Sequence, residues 1–181
     1  MILMLELIAS AGIAVFLIWQ LLRLTENNLP AAEKLCRNRI AGIALALPCA
    51  LLCVPLAIPV SPGFLLFWLY PLAIALPVLS YFYIDYYASR GFSFFLILSA
   101  YDIVHGAFEM HLPGAATVTV IALISGCFGI WLAAQPWLMR DIFRKCAVSG
   151  KWKYTAAALA ALLLIMSLYV LIIMIYGVIA K

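Results

Sequence analysis

The sequence predicts an all-α, polytopic integral membrane protein, with six transmembrane helices in a compact bundle joined by short loops. Three observations lead there. Apolar residues make up 69% of the 181 residues and charged residues only 10%, against roughly 45–50% and about 25% in soluble domains. The apolar residues fall in six runs, each long enough, at about 1.5 Å per residue, to cross roughly 30 Å of hydrocarbon. The remaining charges collect between the runs. So large an apolar surplus is what lipid-facing helices require.

The first predicted span, 2–22, is interrupted by Glu6 and Gln20. No basic segment precedes it, and it exceeds the apolar core of about 7–15 residues that a signal peptide carries, so it is read as retained. In the polar segment 23–39, Asn27-Asn28-Leu29-Pro30 signals a turn and the following Ala-Ala-Glu-Lys-Leu an interfacial helical start. The second span, 40–58, contains Pro48 and Pro55, which are expected to kink it. Pro59-Val60-Ser61-Pro62-Gly63 allows only a tight turn before the third span, 64–87, with Pro71 and Pro77. That span ends in Tyr81, Phe82, Tyr83, Tyr86 and Tyr87, an aromatic belt at headgroup level beside Asp85, Ser89 and Arg90.

The fourth span, 91–110, is closed by Leu112-Pro113-Gly114, and a re-entrant path for it is the alternative. The fifth, 115–138, carries Ser125, Gly126 and Gly129, small residues that let another helix come close. The sixth, 154–180, is uninterrupted. Between them, Arg140, Arg144, Lys145, Lys151 and Lys153 oppose the single acid Asp141. This basic segment suits anchoring at anionic lipid, or a partner surface, and Asp141 four residues before Lys145 fits a short amphipathic helix.

Charge then sets orientation. Arg23, Lys34, Arg37, Arg39, Arg90, Arg140, Arg144, Lys145, Lys151 and Lys153 fall on one side of a six-span topology, and only Lys181 of the eleven basic residues falls on the other. By the positive-inside rule both termini are expected outside a cell inner (plasma) membrane. Topology accounts for the net charge of +4, so no nucleic acid partner is expected. The bilayer is the expected partner, with another membrane protein or a second copy as a further one. Residues 1–181 are expected to form one domain, because no extramembrane segment exceeds about 20 residues, too few for a core.

The candidate site lies on the fourth span. At about 100° per residue, Asp102, His105 and Glu109 fall within roughly 60° of arc, bordered by Ser99 and Gly106. Asp102 is placed near mid-bilayer, His105 a turn further out and Glu109 near the outer interface. A carboxylate at that depth is costly, so it should face the bundle and find a partner or a proton. Alternating carboxylates and imidazole suit a proton path, and Glu6 on the first span falls at the depth of Glu109. The triad Asp102, His105 and Glu109 also has the residue types of a Zn, Mn or Fe site. His111 lies on another face, beyond the helix end.

Other chemistry finds no footing. Two histidines on different faces of one helix cannot hold a haem between them, and no nucleotide-binding or HExxH motif occurs. No cofactor is expected. Cys49 and Cys53, one turn apart, read as small packing residues. The expected function is a transport or proton-linked membrane component with a polar relay on the fourth span. The alternatives are a noncatalytic subunit or assembly factor of a larger complex and, third, a membrane-embedded metal enzyme.

Overall fold

The computed structural model describes residues 2–109 and 114–179, with side chains at 7–108, 114–173 and 175. The described residues are all-helical, with turns and no strand. In order, α1 is Ile2–Arg23, α2 Leu29–Cys36, α3 Arg39–Ala57, α4 Leu66–Tyr83, α5 Tyr87–Glu109, α6 Ala115–Ala134, α7 Leu138–Val148 and α8 Gly150–Ile179. Among the described residues, five helices are long and apolar enough to cross a membrane: α3, α4 with the 3-10 turn before it, α5, α6 and α8. The chain is therefore a multi-pass membrane protein. The apolar stretch of α1 with described side chains, Leu7–Arg23, is shorter.

The predicted candidate-bearing helix, α5, is the centre of the bundle and the most buried of the five. It packs along α6 on one side and α3 on the other and touches α1, while α8 runs beside α1 and α4 leans chiefly on α3. Leu7, Ile103, Ala107, Val118, Ala122, Met166 and Val170 form the core where α1, α5, α6 and α8 meet. Cys49 packs with Phe95 and Leu98 between α3 and α5, as its small-residue reading requires.

Missing side chains set the closest approaches. A Cβ on Gly129 would lie 3.0 Å from Leu96 Cβ and from the Ser93 carbonyl oxygen, and one on Gly126 would lie 3.0 Å from Ala100 Cβ. These two glycines therefore admit α5 against α6, as small residues do where helices pack in lipid. Gly42 and Gly91 do the same for α3 and α5: a Cβ on Gly91 would lie 2.8 Å from the Gly42 carbonyl oxygen.

Three predicted boundaries move, and the first is the start of the sixth span, expected at 154 but found at Gly150, where α8 begins. The third span was expected to reach 87 and the fourth to start at 91, yet α4 ends at Tyr83 and α5 begins at Tyr87. The turn is made by Ile84, which is extended, and Tyr86, at φ 55°. Gly91, where the fourth span was expected to begin, is instead a contact point inside α5. The fifth span was expected to reach 138, but α6 stops at Ala134 because Pro136 drives Gln135 out of the helical region, to φ −125° and ψ 75°. The chain restarts as α7, the amphipathic helix anticipated from Asp141 and Lys145. Asp141 itself pairs with Arg140 at 3.2 Å, while Lys145 Nζ sits 5.4 Å from the Trp152 ring centroid.

α2 and α7 pack on each other at the basic end of the bundle. Leu21, Leu24, Ala32, Cys36, Phe143 and Cys146 form their own apolar cluster there. Asn38 caps α3, its Oδ1 accepting from the amides of Ile40 at 2.9 Å and Ala41 at 3.3 Å. Lys153 Nζ donates to the Leu24 carbonyl at 3.0 Å, closing the end of α1. The Ser89 hydroxyl donates to the Pro136 carbonyl at 2.9 Å, which pins the α6–α7 turn to the start of α5.

Candidate functional site

With α5 starting at Tyr87, its midpoint falls near Leu98. Asp102 is then roughly 6 Å beyond the middle, away from the basic end, rather than at it. Asp102 is half-buried, and its Oδ2 is fully buried without a hydrogen-bond partner. One turn on, His105 is exposed and its ring stacks on Tyr101, centroids 4.6 Å apart and planes 27° apart. No hydrogen bond joins Asp102 to His105. The pair expected to form a relay therefore shares a helix face without being joined into a chain.

The side chains of Glu6 and Glu109, and the whole of His111, lie outside the described residues. Among the described residues no three His, Cys, Asp or Glu side chains come together as metal ligands would.

A second polar feature sits one turn from Asp102 toward the basic end. Ser10 of α1, Ser99 of α5, Ser125 of α6 and Ser167 of α8 line a cavity of about 40 Å³ between those four helices, room for about two waters. The Ser10 hydroxyl donates across to Ser167 Oγ at 2.8 Å, and Ser167 donates to the Leu163 carbonyl at 2.9 Å. Ser125 donates to the Ala122 carbonyl at 2.7 Å. The remaining lining is apolar: Ile13, Leu17, Phe92, Phe95 and Met166 among others. The sequence reading named Ser99 and Ser125 only as small neighbours and overlooked Ser10 and Ser167. Their common mid-span position was the available signal.

The basic segment resolves into individual contacts. Arg144 pairs with Glu33 across α7 and α2, Arg140 reaches Asp141 and Tyr86, and Lys145 and Lys153 have the contacts described above. Lys151 is exposed. The Arg144 guanidinium holds the Glu33 carboxyl below the usual carboxylate range. A carboxyl whose folded value lies below its unfolded one contributes stability that is complete above the ordinary range and lost as pH falls through the folded value. Glu33→Gln should therefore melt slightly below the wild type near neutral pH, and the gap should close below about pH 4. Melting followed through Trp137 and Trp152 fluorescence reads this, and a gap that persists in acid contradicts it.

These features define an α-helical, multi-pass membrane protein with polar groups held inside the bundle. Comparison with protein-family models, with curated proteins and with solved structures gives no match.

Proposed function

We propose that the chain is a six-span transport or proton-linked component of a cell inner membrane, with both termini outside and Asp102 as its proton-binding group. One observation carries the reading: Asp102 Oδ2 is buried without a partner. An interhelical clamp needs a bonded partner on a neighbouring helix, and among the described residues Asp102 has none. A charged oxygen in that position is costly, and taking up a proton removes the cost. The serine-lined cavity one turn away supports a hydrated step toward Asp102, and α1, continuing as a helix from Ile2, supports the sixth span.

The test is Asp102→Asn in proteoliposomes loaded with a pH-sensitive dye under an imposed proton gradient. Proton flux about tenfold or more below the wild type is expected, as for loss of a positioned proton carrier, with melting unchanged within a few degrees. A folded variant that conducts like the wild type removes Asp102 from the function.

A second reading, a subunit of a larger membrane complex, draws on α4. That helix leans chiefly on α3 and presents Phe67, Trp68, Tyr70, Leu76, Leu79 and Phe82 outward. A larger native assembly retained in mild detergent favours it.

A further inference from the structure

Tyr86 is the only described residue other than glycine with a positive φ, 55°. Side chains rarely take that conformation, and it persists where the surroundings hold it. Here it directs the phenol into the α2–α7 layer, where two guanidiniums meet it. Arg37, at the end of α2, donates from Nη2 to the Tyr86 hydroxyl at 2.9 Å. Arg140, on α7, donates from Nη1 to the same oxygen at 3.1 Å. Their guanidinium carbons lie 5.0 and 6.0 Å from the ring centroid.

The oxygen these two cations share is that of a phenol, not of a carboxylate. Two guanidiniums brought to one acceptor repel each other, and among the described residues no single carboxylate is bonded to both. Of the nearby acids, Glu33 is taken by Arg144 and Asp141 by Arg140. Asp85 is exposed and acts on Arg37 only through space. Among the described residues Arg37 has no carboxylate within salt-bridge distance. Each guanidinium carries five N–H donors in a planar fork that matches the oxygens of a phosphate; Arg37 spends one on Tyr86, and Arg140 spends three, on Tyr86 and Asp141.

We propose that Arg37 and Arg140, set in register by the Tyr86 hydroxyl, form a binding site for a phosphate group at the basic end of the bundle. The group is a phosphate ester or free phosphate, its oxygens bridging the two forks. Tyr86 is a positioning residue. The site is separate from Asp102 and does not depend on the function proposed for it.

The full chain is reconstituted in nanodiscs of about four parts phosphatidylcholine to one part phosphatidylglycerol, an anionic lipid. It is then released into mild detergent, and bound phosphatidylglycerol is counted by native mass spectrometry. In a second arm, protein from phosphatidylcholine-only nanodiscs is titrated with inorganic phosphate and its melting followed. In the variants Arg37→Gln and Arg140→Gln, the binding seen in whichever arm responds should fall about tenfold or more, the loss of one charge-assisted hydrogen bond. Arg37→Lys, which keeps the charge and loses the fork, should lose most of it too, and Tyr86→Phe should lose part. Arg144→Gln, equally basic but bonded to Glu33 and not to the Tyr86 hydroxyl, should bind as the wild type does.

Retained phosphatidylglycerol with no response to phosphate assigns the site to a lipid headgroup. A phosphate-dependent rise in melting temperature, absent in Arg37→Gln, assigns it to the free anion. Either supports the proposal. It is overturned if Arg144→Gln lowers binding as much as Arg37→Gln does, which is diffuse charge attraction. It is equally overturned if no arm shows binding, or if Arg37→Gln and Arg140→Gln lower only the melting temperature, which is a structural tie between α2, α7 and the α4–α5 turn.

Discussion

Gly42→Leu is expected to prevent the bundle from forming, and even Gly42→Ala should cost about 2–3 kcal/mol, toward the upper end for overpacking. A Cβ at this position would lie 2.6 Å from Tyr87 Cδ1 and 2.7 Å from the Tyr87 backbone carbonyl carbon. Backbone cannot step aside as the tip of a side chain can, and Tyr87 is itself fixed, its hydroxyl donating to the Pro77 carbonyl at 2.7 Å. The clash therefore pushes α3 off α5 and disturbs α4 with it. Gly126→Ala meets only Ala100 Cβ, at 3.0 Å, and should cost about 1 kcal/mol or less. Gly12→Ala meets nothing within 4 Å, and should be neutral or gain up to about 1 kcal/mol from helix propensity. Thermal unfolding in detergent ranks the three. Equal melting of the Gly42 and Gly12 variants contradicts the packing of α3 against α5.

Phe143→Ala should release α7 from the bundle. Phe143 is 5% exposed and fills the cluster that α7 shares with α2 and the end of α1, so its removal should cost about 3–5 kcal/mol. The thiols beside it report the opening. Burial pushes the Cys36 thiol up to about 12 and raises that of Cys146 as well, so near pH 8 both are protonated and closed to alkylating reagents. A local opening easier by about 3 kcal/mol corresponds to roughly 100-fold faster labelling. The Arg144–Glu33 pair cannot compensate, because an ion pair open to solvent is weak. Labelling at the wild-type rate in Phe143→Ala shows that the cluster does not hold α7.

The long helices were readable because lipid imposes one simple demand, a run of apolar residues of fixed length, and 40–58 and 115–138 meet it with little ambiguity. Their ends were less readable where the deciding event is tertiary. The turn between α4 and α5 falls at Tyr86, a residue with no local preference for a positive φ, held there by Arg37 and Arg140 from two distant segments. Gly91, where the fourth span was expected to begin, instead serves contact with Gly42. Pro136 was different: its effect on Gln135 is local, and the earlier end of α6 follows from it. For the candidate site, helical spacing put Asp102 and His105 on one face but could not show that His105 is exposed and stacked on Tyr101 rather than bonded to Asp102. Nor could it bring Ser10 and Ser167, 157 residues apart, to a shared hydrogen bond.

That bond belongs to the pairing of α1 with α8, the first and last helices of the described chain. At about 5–20 residues per second of synthesis, α1 enters the membrane roughly 10–30 s before its main neighbour has been made. Throughout that interval Ser10 lacks its Ser167 partner, and the α8 wall of the serine cavity is missing. Of the four helices that wall the cavity, the one that closes it is thus made after the other three. A ribosome that stalls late leaves an open, polar-lined intermediate, the kind of surface by which membrane quality control distinguishes unfinished chains from finished ones.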